Sequence, residues 1–162
     1  MAEDEKLAGM VDITEKPAVF RKATATGSIR LQEVSVEAIK RSQVKKGDVL
    51  TTARLAAILA VKDTPRLIPL CHQIPITGLE VNFEFEERRV RATVTVTSEG
   101  KTGVEMEALT GVAAALLNVW DMVKYLEKDE TGNYPETEIE TIRVIEKMKG
   151  EPIRSQETPQ SP

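Results

Sequence analysis

Hydrophobic and polar residues alternate in four segments of the chain, which is the pattern of half-buried β-strands. The first segment, residues 21–31, has small apolar residues on one face and threonine and basic residues on the other. Residues 78–86 and 90–97 alternate in the same way across a short polar link, which predicts an antiparallel hairpin. A fourth alternating segment, residues 140–149, predicts a closing strand.

Apolar residues recur at helical spacing between these strands. Ser35 is placed to cap a short helix over residues 36–42, and Asp48 is placed to cap a second helix over residues 49–62. A long helix is predicted over residues 103–128. The order follows the β-α-β-β-α-β plan with one extra helix. We therefore expect an α+β fold in which helices cover one face of a four-stranded antiparallel sheet.

The length of 162 residues and the hydrophobic content of 41% predict one globular domain. We place this domain at residues 10–150 and expect disordered tails at 1–9 and 151–162, which are poor in apolar residues. One cysteine excludes an internal disulfide, and with one histidine it also excludes a zinc finger. Lacking a run of about 18 apolar residues and a signal peptide, the chain is expected to be cytoplasmic, with no membrane partner.

The net charge of −4 conceals an uneven distribution of charge. Residues 16–66 contain 11 basic and four acidic side chains, so this segment suits nucleic acid or a polyphosphate ligand, or is simply a solvated surface. Aromatic residues, on which bases stack, make up only 4% of the chain. Nucleic acid is therefore the weaker of the two functional options.

A glycine-flanked lysine, Lys101, lies between a predicted strand and the long helix. The segment 100–103 is not a phosphate-binding Walker loop, because Thr95 occupies the position where that motif needs its first glycine. Two interpretations of this segment remain, an anion site beside a helix N-terminus and an ordinary turn. Glu105 and Glu107 follow in the first helical turn, where the helix dipole favours carboxylates.

Cys71 and His72 lie in a proline-rich loop before the second strand. Adjacent residues in an extended segment point apart, so the two make a poor nucleophile–base pair. His72 alone suits a general base or a phosphate ligand, because the flanking prolines stiffen the loop that carries it. The alternative is a histidine with a purely structural role.

Asp121 and Lys124 are three residues apart on the long helix and so share one face. Because Asp121 follows Trp120 in an apolar run, we expect a partly buried pair whose proton affinities suit acid–base chemistry. Lys46 precedes a helix start and suits phosphate binding or proton transfer. The alternatives are an ordinary surface ion pair and a solvated turn.

Six blocks of the sequence resemble the signature blocks of the MoaC family of molybdenum cofactor biosynthesis, the cyclic pyranopterin monophosphate synthases. In chain order they are MVDI (10–13), KGDV (46–49), TAR (52–54), IPLCH (68–72), GKTGVEMEALT (100–110) and DMVK (121–124). The resemblance covers residues 10–150, and the eleven-residue block is the most specific.

The resemblance implies a ferredoxin-like fold and a homohexamer built as a trimer of dimers. The implied substrate is a small nucleotide-derived molecule, a cyclised dihydroguanosine triphosphate. It is rearranged to cyclic pyranopterin monophosphate with loss of pyrophosphate. We expect no resident cofactor and no metal site, although magnesium could arrive with the substrate phosphates.

The resemblance also implies roles for individual residues. Asp121 would be the catalytic acid/base, with Lys46 and Lys124 as its proton-transfer partners. The residues that would line the substrate pocket are Leu70, Cys71, His72, Met106 and Glu107. Further polar positions around it are Arg21, Lys101, Glu105 and Lys147. No function is assigned to residues 130–141.

Helix geometry adds an expectation about the assembly. Glu107 and Asp121 are 14 residues apart, which is about 21 Å along one continuous helix. Two subunits would then have to share each substrate site, and the protein would be inactive as a monomer. A break in the helix near Gly111 would remove this argument.

A non-catalytic module that binds nucleic acid or senses a ligand is the alternative, because the fold alone does not determine function. A nucleic-acid module would need exposed aromatic residues on the sheet. Phe83 and Phe85 alternate with acidic residues, and we expect them to face the core instead.

Overall fold

The computed structural model describes residues 9–152 and contains four strands and four helices within that range. In chain order these are β1 Val19–Arg30, α1 Glu33–Lys40, α2 Val49–Lys62, α3 Thr64–Leu67, β2 Ile76–Glu86, β3 Arg89–Gly100, α4 Glu105–Glu127 and β4 Glu138–Pro152. Apart from Gly9 and the end of β4, the predicted tails lie outside the described residues.

The strands form one antiparallel sheet in the order β2-β3-β1-β4, and the predicted ferredoxin-like α+β fold is confirmed. Helix α4 packs on β1 and β3, and α2 packs on α4. The core is aliphatic, with Ala25 and Ile29 of β1, Val94 of β3 and Val112 and Leu116 of α4 all fully buried. The predicted hairpin is present, with a two-residue link between β2 and β3.

Helix α3 was not expected, because Pro65 indicated the end of the preceding helix. Pro65 lies in its first turn, where the missing N–H of proline costs no hydrogen bond. The Thr64 hydroxyl is buried and donates to the Ala60 carbonyl at 2.9 Å, which ties α3 to the end of α2.

Helix α4 runs without a break for 23 residues. Gly111 does not interrupt it: a Cβ there would lie 2.8 Å from a methyl carbon of Val61 and 3.1 Å from one of Val94. The glycine therefore lets α4 approach α2 and β3 closely. Because the helix is continuous, its two ends stay far apart.

By length and composition α4 could cross a membrane, although the sequence was expected to contain no such segment. Half of its most apolar 18-residue window is buried inside the domain, as in the core helix of a globular protein.

The start of α1 differs from the prediction. Ser35 is not an N-cap, because the helix begins at Glu33 and its cap residue Gln32 makes no side-chain cap hydrogen bond. Instead the fully buried carboxylate of Glu127, at the end of α4, accepts the Ser35 hydroxyl at 2.5 Å and the Gln32 N–H at 2.9 Å. It also accepts the Thr137 hydroxyl at 2.6 Å. A distant carboxylate thus takes the place of a local cap.

We expect Glu127→Ala to destabilise the protein far more than Ser35→Ala. The first change leaves two buried hydroxyls and the partly buried Gln32 N–H without their acceptor, whereas the second removes one hydrogen bond. The expected losses in free energy of unfolding are about 3 kcal/mol or more and about 1 kcal/mol. Urea denaturation measures both, and equal losses would show that Glu127 does not hold the group together.

Candidate functional site

The predicted site residues form two groups at opposite ends of α4. The first group surrounds an open pocket of about 370 Å³ at the N-terminal end of the helix, here called the α4 N-terminal pocket. Six predicted residues line it, namely Leu70, Cys71, His72, Glu105, Met106 and Glu107. The loop before β2 and the first turn of α4 therefore face one another across a single cavity.

Glu107 is the buried acid of this pocket, with 3% of its surface exposed. Burial raises the pKa of its carboxyl, and the neighbouring charge of Glu105 acts in the same direction. The pKa of the Cys71 thiol is also raised, by burial and then by Glu107. Glu107 thus holds a proton more readily than an exposed carboxyl does.

His72 is oriented by the N-terminal segment of the domain. Its Nε2 lies 2.6 Å from the carbonyl oxygen of Val11, which also lines the pocket. A carbonyl oxygen only accepts, so Nε2 carries the proton and, in the neutral ring, Nδ1 is the free acceptor. Val11 was not among the predicted site residues, because its contact with His72 is made by a backbone atom.

A second opening of about 380 Å³ adjoins the pocket and is lined by basic side chains; we call it the basic cleft. Its cations are Lys16, Arg21, Lys101, Lys147 and Lys149. Thr102 and Gly103 line both openings, so the two lie side by side. The predictions included Arg21, Lys101 and Lys147. They missed Lys16, which precedes β1, and Lys149, which the pairing of β4 with β1 places opposite Arg21.

Hydrogen bonds hold the cations of the cleft in place. Lys101 donates to the Thr14 carbonyl at 2.7 Å, and Arg21 donates to the Gly100 and Lys101 carbonyls at 3.5 and 3.4 Å. Lys147 forms an ion pair with Glu105. Burial raises the pKa of Glu105, but the hydrogen bond of Lys147, a backbone hydrogen bond and the charges of Lys147 and Arg21 together lower it overall.

The second group lies near the C-terminal end of α4 and comprises Lys46, Asp121 and Lys124; we call it the Asp121 cluster. Lys46 Nζ lies 2.8 Å from Asp121 Oδ2, and Lys124 Nζ lies 2.9 Å from Oδ1. The structure thus places all three predicted residues in direct contact. The two hydrogen bonds, first that of Lys46, lower the pKa of Asp121, and Asp121 raises the pKa of Lys124.

The expected partial burial of the Asp121–Lys124 pair is wrong for the single chain, because 56% of the Asp121 side chain is exposed. Successive helical residues point about 100° apart. Trp120 packs against the core and against the ring of Tyr134, so the next side chain turns outward. An apolar neighbour in the sequence did not indicate burial here.

The two groups remain separate within one chain. None of the Asp121 cluster lines the α4 N-terminal pocket or the basic cleft. Because α4 is continuous, Glu107 and Asp121 lie about 21 Å apart along its axis. Within residues 9–152, no three histidine, cysteine, aspartate or glutamate side chains lie close enough together to hold a metal ion.

Comparison with known proteins gives a consistent result. The model of the MoaC family matches residues 10–150. A protein of Thermococcus kodakarensis is 58% identical over 148 residues, covering 91% of this chain and 95% of the relative. One of Methanosarcina mazei is 62% identical over 143 residues, covering 88% and 91%. Both are named probable cyclic pyranopterin monophosphate synthase.

We expect Lys46→Met to raise the pKa of Asp121, since the Lys46 hydrogen bond is the largest of the effects that lower it. In the unmodified protein the carboxylate therefore stays ionised to a lower pH than a free aspartate. Infrared difference spectroscopy with isotope-labelled aspartate, taken against Asp121→Asn, measures the titration. Lys62→Met, at the end of α2, is the control and should leave it unchanged.

Proposed function

The chain belongs to the MoaC family, and from this premise we propose that it is a cyclic pyranopterin monophosphate synthase. It converts the cyclised dihydroguanosine triphosphate to cyclic pyranopterin monophosphate and pyrophosphate, a lyase reaction of molybdenum cofactor biosynthesis. The observation that carries the proposal is that the α4 N-terminal pocket and the basic cleft lie side by side, because a ligand-sized cavity then adjoins a group of cations that suits a polyphosphate.

The division of the site matches the two halves of the substrate. A cavity of about 370 Å³ is within the usual range for small ligands, and His72 and Glu107 offer it polar groups. We place the ring system of the substrate there. The five basic side chains of the cleft face the triphosphate and stabilise the charge that develops as pyrophosphate leaves.

The Asp121 cluster supplies the acid–base chemistry. Opening and closing rings requires protons to be taken up and released, and the cluster joins one carboxylate to two ammonium groups at 2.8 and 2.9 Å. The ionised Asp121 accepts a proton, and the lysines are the donors. No change in oxidation state is required of the protein.

We propose that each site combines the α4 N-terminal pocket of one chain with the Asp121 cluster of its partner. The support is the length of α4, which separates these groups by about 21 Å in one chain. A two-fold dimer would contain two such composite sites. Three dimers would make the hexamer that the resemblance implies.

The remaining expectations stay proposals. We propose that the enzyme works in the cytoplasm and has no resident cofactor, and that any magnesium it uses arrives on the substrate phosphates. The single cysteine suits a reducing compartment. A nucleic-acid module gains no support, since Phe83 and Phe85 pack against the core as expected.

Asp121→Asn should abolish turnover, with a loss of about 100-fold or more in kcat and no loss of thermal stability. The change keeps the shape of the side chain and removes its proton affinity. Pyrophosphate release measures the activity. Asp63→Asn is the matched control, because Asp63 is an exposed aspartate outside both groups. Normal turnover by Asp121→Asn would contradict the proposed role.

Mixing Asp121→Asn chains with Glu107→Gln chains, each inactive alone, should restore activity. Half of randomly formed dimers are mixed and each has one intact site, so about a quarter of normal activity is expected.

The matched control mixes Asp121→Asn with Lys46→Ala chains. Both changes lie in the Asp121 cluster, so no mixed dimer has an intact site and activity should stay absent. Mass spectrometry verifies that mixed dimers form. If they form and the first mixture stays inactive, the shared site is wrong.

A further inference from the structure

Lys46 and Lys124 reach Asp121 by different routes. Lys124 is three residues along the same helix, so α4 itself holds it on the correct face. Lys46 comes from the turn between α1 and α2, 75 residues away in the sequence, and is exposed. Its ammonium meets both the carboxylate and the backbone carbonyl of Asp121, at 2.8 and 3.0 Å. The position of the turn therefore decides whether the Lys46 ammonium reaches Asp121.

The turn is anchored on both sides of Lys46. Val44 is buried in the core, and Ser42 and Gly47 adopt left-handed backbone angles, with φ of 54° and 110°. Asp48 caps α2 by accepting the Thr51 N–H at 2.9 Å. These contacts set the course of the chain, and Val44 packs in the core cluster that also contains Val119 and Val123 of α4.

Tyr125 adds a hydrogen bond between α4 and the backbone of the turn, next to Lys46. Its hydroxyl oxygen accepts the backbone N–H of Lys45, the residue before Lys46, at 3.0 Å. Tyr125 is four residues after Asp121, so both side chains lie on the same face of α4, one turn apart. The Tyr125 ring packs against the core, and the Lys45 ammonium lies 5.2 Å from its centre.

We propose that Tyr125 is a positioning residue of the synthase, holding the turn on α4 so that the Lys46 ammonium contacts Asp121. The expected effect on kcat rests on the proposed function, whereas the expected position of Lys46 does not. Tyr125 affects Asp121 only through the position of Lys46. The hydroxyl of Tyr125, rather than its ring, makes the hydrogen bond that holds the turn.

Tyr125→Phe removes that hydroxyl and keeps the ring. We expect kcat to fall by about 2- to 10-fold, the usual worth of one hydrogen bond, with KM unchanged. We also expect the pKa of Asp121 to rise, because a displaced Lys46 no longer lowers it as strongly. The charged groups that act on Asp121 are Lys46 and Lys124, and Tyr134 in turn affects the pKa of Lys124. Because Lys46→Met removes the Lys46 ammonium altogether, the rise in the pKa of Asp121 in Tyr125→Phe should not exceed the rise in Lys46→Met.

Lys45→Met is the matched control. It removes the ammonium over the ring but keeps the backbone N–H that Tyr125 accepts, so kcat and the Asp121 titration should stay as in the unmodified protein. If Lys45→Met reproduces the effect of Tyr125→Phe, the hydroxyl is not the positioning group and the proposal is wrong.

The infrared titration of Asp121 in the resting protein separates this proposal from the proposed function. An unchanged titration in Tyr125→Phe overturns the proposal, even if thermal stability falls. A raised pKa of Asp121 together with a lower kcat supports it. Absence of synthase activity in the unmodified protein would refute the proposed function, and the titration would still decide whether Tyr125 positions Lys46.

Discussion

The close packing of α4 against the sheet and α2 is the constraint on which the rest of the structure depends. At Gly111 the backbone of α4 comes so near to Val61 and Val94 that a single added carbon would clash with both. The helix therefore passes the middle of the domain unbroken, and its two ends cannot fold toward one another. Glu107 near one end is kept about 21 Å from Asp121 near the other, and this separation is what supports the proposal of a site shared between chains.

The two groups differ in electrostatic character as well as in position. In the α4 N-terminal pocket, burial raises the pKa of Glu107 and favours its protonated form. In the Asp121 cluster, two lysines lower the pKa of an exposed carboxyl and favour its ionised form. A proposed shared site would thus bring together one carboxyl that retains a proton and one that is free to accept it. Enzymes that move several protons commonly use carboxyls with separated proton affinities.

The sequence was informative where the structure depends on local pattern. Alternation located all four strands, and the spacing of apolar residues located three helices, because each element buries one regular face. Local pattern made His72, Asp121 and Lys46 candidates, but their roles came from the resemblance to a family, which carries tertiary information that a single sequence lacks. The resemblance also added Leu70, Met106, Arg21 and Lys147. What could not be predicted depends on distant contacts. Local pattern indicated Ser35 as a helix cap, whereas its hydroxyl bonds to Glu127, 92 residues away. Lys149 joins the basic cleft only through strand pairing.

The C-terminal half of α4 holds α1 at both ends. Glu127 binds the first turn of α1 through the Gln32 N–H and the Ser35 hydroxyl, and Tyr125 binds the turn that follows α1. Since Lys46 lies in that turn, α4 sets the position of the lysine as well as that of Asp121, which it carries itself. One helix therefore determines the geometry of a pair that is distant in sequence. This arrangement explains how an ion pair with half-exposed side chains, which alone would be weak and mobile, is held in a defined geometry.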